Sequence, residues 1–223
     1  MERVVEPEWL DELPAQEPRA IHSRADLRKL NWFMNHAGVL ARALRPAGQP
    51  RRVIDLGCGD GAFALRLAVA ARWRGCEVVL VDRQPVIAPE VRAGFATLGC
   101  SVIVTECDVL RGLEAAGRAD VVFANLFLHH FKDAELARLL PDISARATLF
   151  AACEPRRASL ALLASRLVAL IGCNAVTRHD APASVRAGFS GHELSRRWPT
   201  AGDWRLDESA TGLFSHLFVA GRR

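Results

Sequence analysis

The chain has 223 residues, 50% of them hydrophobic, and 29 Lys and Arg against 25 Asp and Glu give a net charge of +4. That length and apolar content suit one domain with a sizeable core and exclude a disordered chain. The arginines are dispersed, with no basic tail and no basic stripe interleaved with aromatics, so no nucleic-acid partner is expected.

Residues 1–22 are rich in Pro and Glu, with Trp9 and Leu10 as isolated apolar anchors, and read as a loosely ordered arm. Their acidic, polar start does not read as a signal peptide. Ser23 is a plausible N-cap for a helix running to about Leu44, because Leu27, Leu30, Met34, Ala37, Leu40 and Leu44 recur at helical spacing. Pro46 and Pro50 end it, so residues 23–50 form a helical cap on a core of residues 51–223, one domain in all. Strands and helices then alternate. Strands are predicted at Arg52–Asp55, Val78–Asp82, Val102–Thr105, Val121–Ala124 and Ala147–Ala152, and helices at Ala62–Trp73, Ile87–Leu98 and Asp133–Leu140. The apolar run Ser159–Ile171 reads as a helix too short to span a membrane and interrupted by Arg166. It suits a packed or dimer-forming helix, an acceptor-pocket wall or a shallow membrane contact, and no stable membrane insertion is expected. A loop at 174–189 follows, then a short helix opened by a Ser190/Glu193 capping box, then closing strands Trp204–Glu208 and Phe214–Ala220. The six cysteines form no C-x-x-C pair, and several sit in apolar runs, as in a reduced, cytoplasmic protein.

The chemistry is concentrated in Val53-Ile-Asp-Leu-Gly-Cys-Gly-Asp-Gly61. A β-branched run ends in Asp55, Gly57, Gly59 and Gly61 follow at alternate positions, and a helix begins at Ala62. Bare backbone at such a turn lets a nucleotide-like ligand lie against it. Gly57, Gly59 and Ala62 also satisfy the dinucleotide pattern G-x-G-x-x-G/A. Asp55 and Asp60, however, would repel a pyrophosphate and attract a cation. S-adenosylmethionine has no phosphate and carries an ammonium and a sulfonium. The block resembles motif I of the class I S-adenosylmethionine-dependent methyltransferases.

The downstream acids agree with that resemblance. Asp82 ends the second strand at the spacing of a ribose-binding acid, with Arg83 beside it. In the family, an acid at the position of Asp108 accepts from the adenine amino group, and the next backbone N–H, that of Val109, meets a ring nitrogen. Asn125 and Leu126 end the fourth strand, where donor and acceptor should meet. The cofactor-binding set is therefore Asp55, Gly57, Cys58, Gly59, Asp82, Arg83, Asp108, Val109, Asn125 and Leu126, with no metal. The resemblance covers about residues 25–220. It implies a Rossmann-like α/β fold: seven mostly parallel strands in the order 3-2-1-4-5-7-6, the seventh antiparallel, with helices on both faces.

The acceptor is narrowed by what is missing. No Pro-Pro-aromatic follows Asn125, no Pro-Cys dipeptide exists, and histidines stand where protein-arginine methyltransferases carry paired glutamates. A small molecule is the default: a phenol, pyrone or quinol. His129 and His130 follow strand four directly and are the candidate bases, His130 ahead, with His216 in reserve. Segments 176–189 and 213–218 resemble small bacterial methyltransferases associated with polyketide synthases. That resemblance makes Arg178 and His179 candidates to hold the acceptor. Trp32 and His36 of the cap join them. Transfer to a phenol-type oxygen is the leading expectation. The rivals are carbon methylation of the quinone-biosynthesis kind, a nicotinamide-dependent reductase and a non-catalytic binding module. A homodimer is an open possibility.

Overall fold

A computed structural model describes residues 1–14, 16–200 and 203–223; Ala15, inside the expected arm, lies outside the described residues. Among these the elements run α1 (Trp9–Glu12), α2 (Pro18–Phe33), α3 (His36–Ala43), β1 (Arg52–Leu56), α4 (Ala62–Ala70), β2 (Glu77–Asp82), α5 (Pro89–Thr97), β3 (Ser101–Glu106) and α6 (Val109–Gly112). Next come β4 (Ala119–Asn125), α7 (Asp133–Arg146), β5 (Ala147–Pro155), α8 (Ser159–Arg166), α9 (Ala175–Ala187), β6 (Trp204–Thr211) and β7 (Ser215–Arg222). One seven-stranded sheet has the order β3-β2-β1-β4-β5-β7-β6. All pairs are parallel except those of β7 with β5 and β6.

The central strands are apolar on both sides because both faces are covered. In β1, Val53 joins a cluster with Leu40, Leu44, Leu67, Trp73, Leu80, Phe95 and Phe123, supplied largely by α3, α4 and α5. Ile54 and Leu56 point the other way, into a cluster with Leu136, Leu139, Leu140, Ile143, Phe150 and Trp198. This two-residue alternation fixes which side chains leave the carboxyl ends of the strands.

Four expected elements differ. The helix expected from Ser23 to Leu44 is two helices, broken where Asn35 adopts a left-handed φ of 53°. Its first part starts at Pro18, a residue pre-set for a first helical turn. Ser23 is therefore not a cap but a buried mid-helix residue whose hydroxyl bonds that of Thr177 at 2.9 Å. The expected loop 174–189 is the helix α9, capped by Asn174, whose Oδ1 accepts from the Thr177 N–H. Pro182 inside it hid the helix from the sequence. The apolar run 159–171 divides into α8 and a 3₁₀ turn over Val168–Ile171. The expected helix at Ser190 is a series of turns, in which Glu193 accepts from the Ser190 N–H as a capping residue would and also pairs with the buried Arg157.

The arm, expected to be loosely ordered, is tied down. Val4 N–H donates to the Arg186 carbonyl. Arg3 donates to the carbonyls of Ala187, Phe131 and His129 and lies over the Phe189 ring. The carboxylate of Asp180 in α9 accepts from the N–H groups of Trp9 and Leu10, capping α1. The indole of Trp9 stacks on His179 at 3.8 Å between ring centres.

Candidate active site

The carboxyl ends of the parallel strands open into one cavity of about 1520 Å³, with the glycine turn, the acids of β2 and β3, the end of β4 and the arm on its walls. A smaller cleft lined by Arg51, Arg118, Arg146 and Arg222 lies where the central strands start, away from the glycine turn.

Gly57, Gly59 and Gly61 all have positive φ, between 54° and 74°, which explains why glycine is used at each. The turn spends most of its own N–H groups. Those of Gly57 and Cys58 donate to the Val81 carbonyl, that of Gly59 to Asp82 Oδ2 at 2.8 Å, that of Gly61 to the Cys58 carbonyl and that of Ala62 to Asp60 Oδ1. A phosphate would need those donors. What the turn offers the cavity instead is Asp60 and Asp82, with Asp108 beyond them. This donor set suits an ammonium, a ribose and a sulfonium, not a pyrophosphate.

Asp55 is a correction to the charge argument. It is buried beneath the turn, and its Oδ2 has no partner among the described residues. Burial, reinforced by Asp82 and Asp60, pushes its carboxyl well above the ordinary range, and it does not line the cavity. The carboxylates that line the cavity at this end are Asp60, which pairs with Arg28, and Asp82 and Asp108. Gly57 differs too: a Cβ there would overlap the Phe127 ring, whereas one at Gly59 would meet nothing within 4 Å. Gly59 is the glycine that keeps the cavity wall open.

Asp82 Oδ1 also accepts from Gln84 N–H at 2.8 Å, and Asp108 Oδ1 accepts from Leu110 N–H at 2.9 Å, which fixes both carboxylates. Arg83 and Val109 line the same wall. Sequence reasoning missed Arg66, which also lines the cavity and whose Nε and Nη2 are shielded yet without a partner among the described residues. Its signal was its place one helical turn after Ala62. An unpaired guanidinium edge there suits the carboxylate of the methionine part of S-adenosylmethionine. The residues present thus fit that cofactor.

At the end of β4, Asn125 Oδ1 accepts from His36 Nδ1 at 2.8 Å, and Asn125 Nδ2 donates to Asn31 Oδ1 at 3.0 Å. His36 Nε2 then accepts from Ser215 Oγ at 2.7 Å. Burial depresses the His36 pKa to about 4, so the ring is neutral and committed to these partners. Leu126 follows with a left-handed φ of 53°, a strained turn that swings Phe127 and the histidines over the cavity.

The two histidines are unlike. His129 is buried, with Nδ1 at 2.8 Å from Glu154 Oε2 and Nε2 at 3.3 Å from Glu8 Oε1. Burial alone would lower its pKa, but the two carboxylates raise it to about 9. Burial likewise opposes the charge on Glu8, yet His130, His129 and the Ser184 hydroxyl hold its carboxyl at about 2. A buried imidazolium between two carboxylates cannot act as a base at neutral pH, so His129 as it stands is a fixed charge. Glu154 anchors the corner further by accepting from the N–H groups of Phe127, Leu128 and His129. Neither Glu8 nor Glu154 was legible as a site residue. His130 is half-buried, lines the cavity and has Nδ1 at 3.0 Å from Asp11.

Other candidates fall elsewhere. His216 is buried against Glu208 at 2.9 Å and does not line the cavity. Arg178 and His179 sit on the exposed side of α9, outside the lining residues. Asp180 spends its carboxylate on the arm rather than on Arg178. Trp32, 76% exposed, stands at the rim. The run 159–171 is a cavity wall, through Ala161, Ser165 and Val168 among others. No helix among the described residues is long and apolar enough to cross a membrane.

Residues 53–147 match the model of the methyltransferase domain family. No protein of curated function matches the chain in sequence. Among solved structures, an O-methyltransferase family protein from Burkholderia thailandensis is 17% identical with a TM-score of 0.61, over 92% of this chain and 59% of that one, so the chain spans about three-fifths of that relative. The plantazolicin methyltransferase BpumL, in complex with a monoazolic desmethylPZN analog and SAH, is 14% identical with a TM-score of 0.64, over 96% of this chain and 93% of its own. Magnesium protoporphyrin IX methyltransferase from Synechocystis PCC 6803, with bound SAH, is 15% identical with a TM-score of 0.54, over 86% and 83%. Residues 53–147 are thus a methyltransferase domain, set in a chain that has the fold of the class I S-adenosylmethionine-dependent methyltransferases.

Proposed function

We propose that this chain transfers the methyl group of S-adenosylmethionine to the oxygen of a small phenolic or enolic acceptor. The observation that supports this reading is that the glycine turn and the histidine pair line one cavity. Its lining joins the acidic glycine turn to His129 and His130, and includes the apolar side chains Phe63, Phe127, Phe131 and Val168. Asp82 takes the ribose, Asp108 and the Val109 N–H take the adenine, and Asn125 and Leu126 border the sulfonium. The acceptor's O–H bond breaks and its proton leaves to the His130 imidazole, the member of the pair open to the cavity. An oxygen lone pair forms the new C–O bond while the C–S bond breaks, its electrons returning to sulfur as a neutral thioether.

The spent N–H groups of the glycine turn disfavour the nicotinamide reading. The experiment is mass spectrometry of phenols, pyrones and quinols incubated with deuterated methyl donor. Methylated oxygen is expected on a high-pKa phenol, and His130→Ala is expected to lower kcat about 10²–10⁴-fold there, less on acceptors already ionised. Full kcat in the variant removes His130 as the base, and labelled carbon in place of oxygen overturns the acceptor assignment.

A further inference from the structure

We propose that Glu8, His129 and His130 form a binding site for a first-row divalent transition ion on the wall of the acceptor cavity. These residues come from the arm and from the turn after β4, and each offers a ligand atom within 4.8 Å of the other two. Glu8 Oε1 and His129 Nε2 are 3.3 Å apart. That is about the separation of neighbouring donors that each lie about 2.1 Å from one ion.

The surroundings are built as a metal site's are. A ligating imidazole commonly gives its other nitrogen to a carboxylate, which fixes the ring and raises its basicity. His129 does so through Nδ1 to Glu154, 2.8 Å away and itself held by three backbone N–H groups. Asp11, 3.0 Å from His130 Nδ1, brings a carboxylate to the second imidazole, and the Ser184 hydroxyl bonds Glu8. Three carboxylates therefore converge on two imidazoles, an excess of negative charge that a divalent ion balances better than a proton. Two imidazoles and one carboxylate suit Zn²⁺, Co²⁺, Fe²⁺ or Mn²⁺ rather than the hard ions Ca²⁺ and Mg²⁺.

All three ligands line the cavity, so coordination positions on that side are open to an acceptor oxygen. The catalytic use of the ion rests on the methyl transfer proposed above. With the ion bound, His130 is a ligand, and ionisation of the acceptor passes to the metal, which lowers the pKa of a coordinated O–H. The O–H bond breaks, the proton goes to solvent, and the metal-held oxygen attacks the methyl as before.

The experiment titrates chelator-stripped protein with Zn²⁺ by calorimetry and with Co²⁺ by visible spectroscopy. One equivalent of each is expected, and Co²⁺ is expected to show d–d bands. His130→Ala, a half-exposed change that spares the core, and Glu8→Gln are each expected to weaken binding tenfold or more, with circular dichroism confirming the fold. No saturable uptake, or uptake unchanged in both variants, overturns the site. S-adenosylhomocysteine calorimetry on the same stripped protein separates the two readings. Cofactor binding without metal binding leaves the donor assignment standing and sinks the ion site. Metal binding without cofactor binding does the reverse.

Discussion

Replacing Asp82 with Asn isolates the charge that the proposed site puts under the ribose. The carboxylate ends β2 and accepts from Gly59 and Gln84 through its two oxygens, both at 2.8 Å. An amide of the same size keeps one acceptor and turns the other position into a donor, so one of these turn contacts is lost. It also removes the negative charge that the ribose hydroxyls would meet. A hydrogen bond to a charged group contributes about 1.5–3 kcal/mol and a neutral one about 0.5–1.5 kcal/mol. Weakening a diol contact and loosening the turn together comes to about 2–3 kcal/mol, or roughly 30- to 150-fold in Kd. The assay is calorimetry with S-adenosylhomocysteine, paired with its 2′,3′-dideoxy analogue. The analogue is expected to bind wild type more weakly than the parent compound does, and to lose on the variant only the share that comes from the loosened turn. Unchanged affinity in a folded variant, or additive losses, would refute the assignment of Asp82 to the ribose.

Gly59→Ala places a methyl group in open cavity at φ 54° and is expected to cost about 1–2 kcal/mol of stability while weakening S-adenosylhomocysteine at least tenfold, as read by thermal melts and calorimetry on one sample. Glu154→Ala strips the buried His129 imidazolium of a partner and orphans three backbone N–H groups. Its expected loss of about 3–5 kcal/mol is measurable by urea unfolding. Burial holds the folded-state pKa of His36 at about 4, below the unfolded value of about 6.5, so the unfolded chain binds the extra proton and stability falls as pH drops from 6.5 toward 4. At about 1.4 kcal/mol per pH unit, roughly 2 kcal/mol of that loss falls between pH 6.5 and 5. His36→Gln is expected to flatten unfolding curves in that window; an unaltered slope would show that His36 is not the group titrating.

The glycine-turn wall of the cavity was legible because it is local. The glycines, Asp82, Asp108 and Asn125 each sit at or just past the end of an apolar run, and a parallel sheet gathers strand ends by topology, whereas the burial of Asp55 beneath the turn was not legible. The acceptor half was not legible, because its contacts join distant residues. Glu8 meets His129 across more than a hundred positions, and Asp180 meets Trp9 across 171. No periodicity signals such pairs. The arm read as loose because Pro and Glu dominate it, yet its N–H groups and carboxylates find partners on α9 and beyond β4. Histidines were rightly placed near the cavity, but a sequence does not show that carboxylates from two other segments turn one of them into a fixed cation. Arg178 and His179 were misplaced for a related reason: with Pro182 hiding α9, nothing indicated which side of that segment faces outward.

The account's central claim is that the glycine turn and its acids hold S-adenosylmethionine, and calorimetric titration of the purified chain with S-adenosylhomocysteine and, separately, with NADH and NADPH tests it most directly. The expected result is one saturable site for S-adenosylhomocysteine and none for either nicotinamide. Saturable binding of NADH or NADPH, with no uptake of S-adenosylhomocysteine, would contradict it.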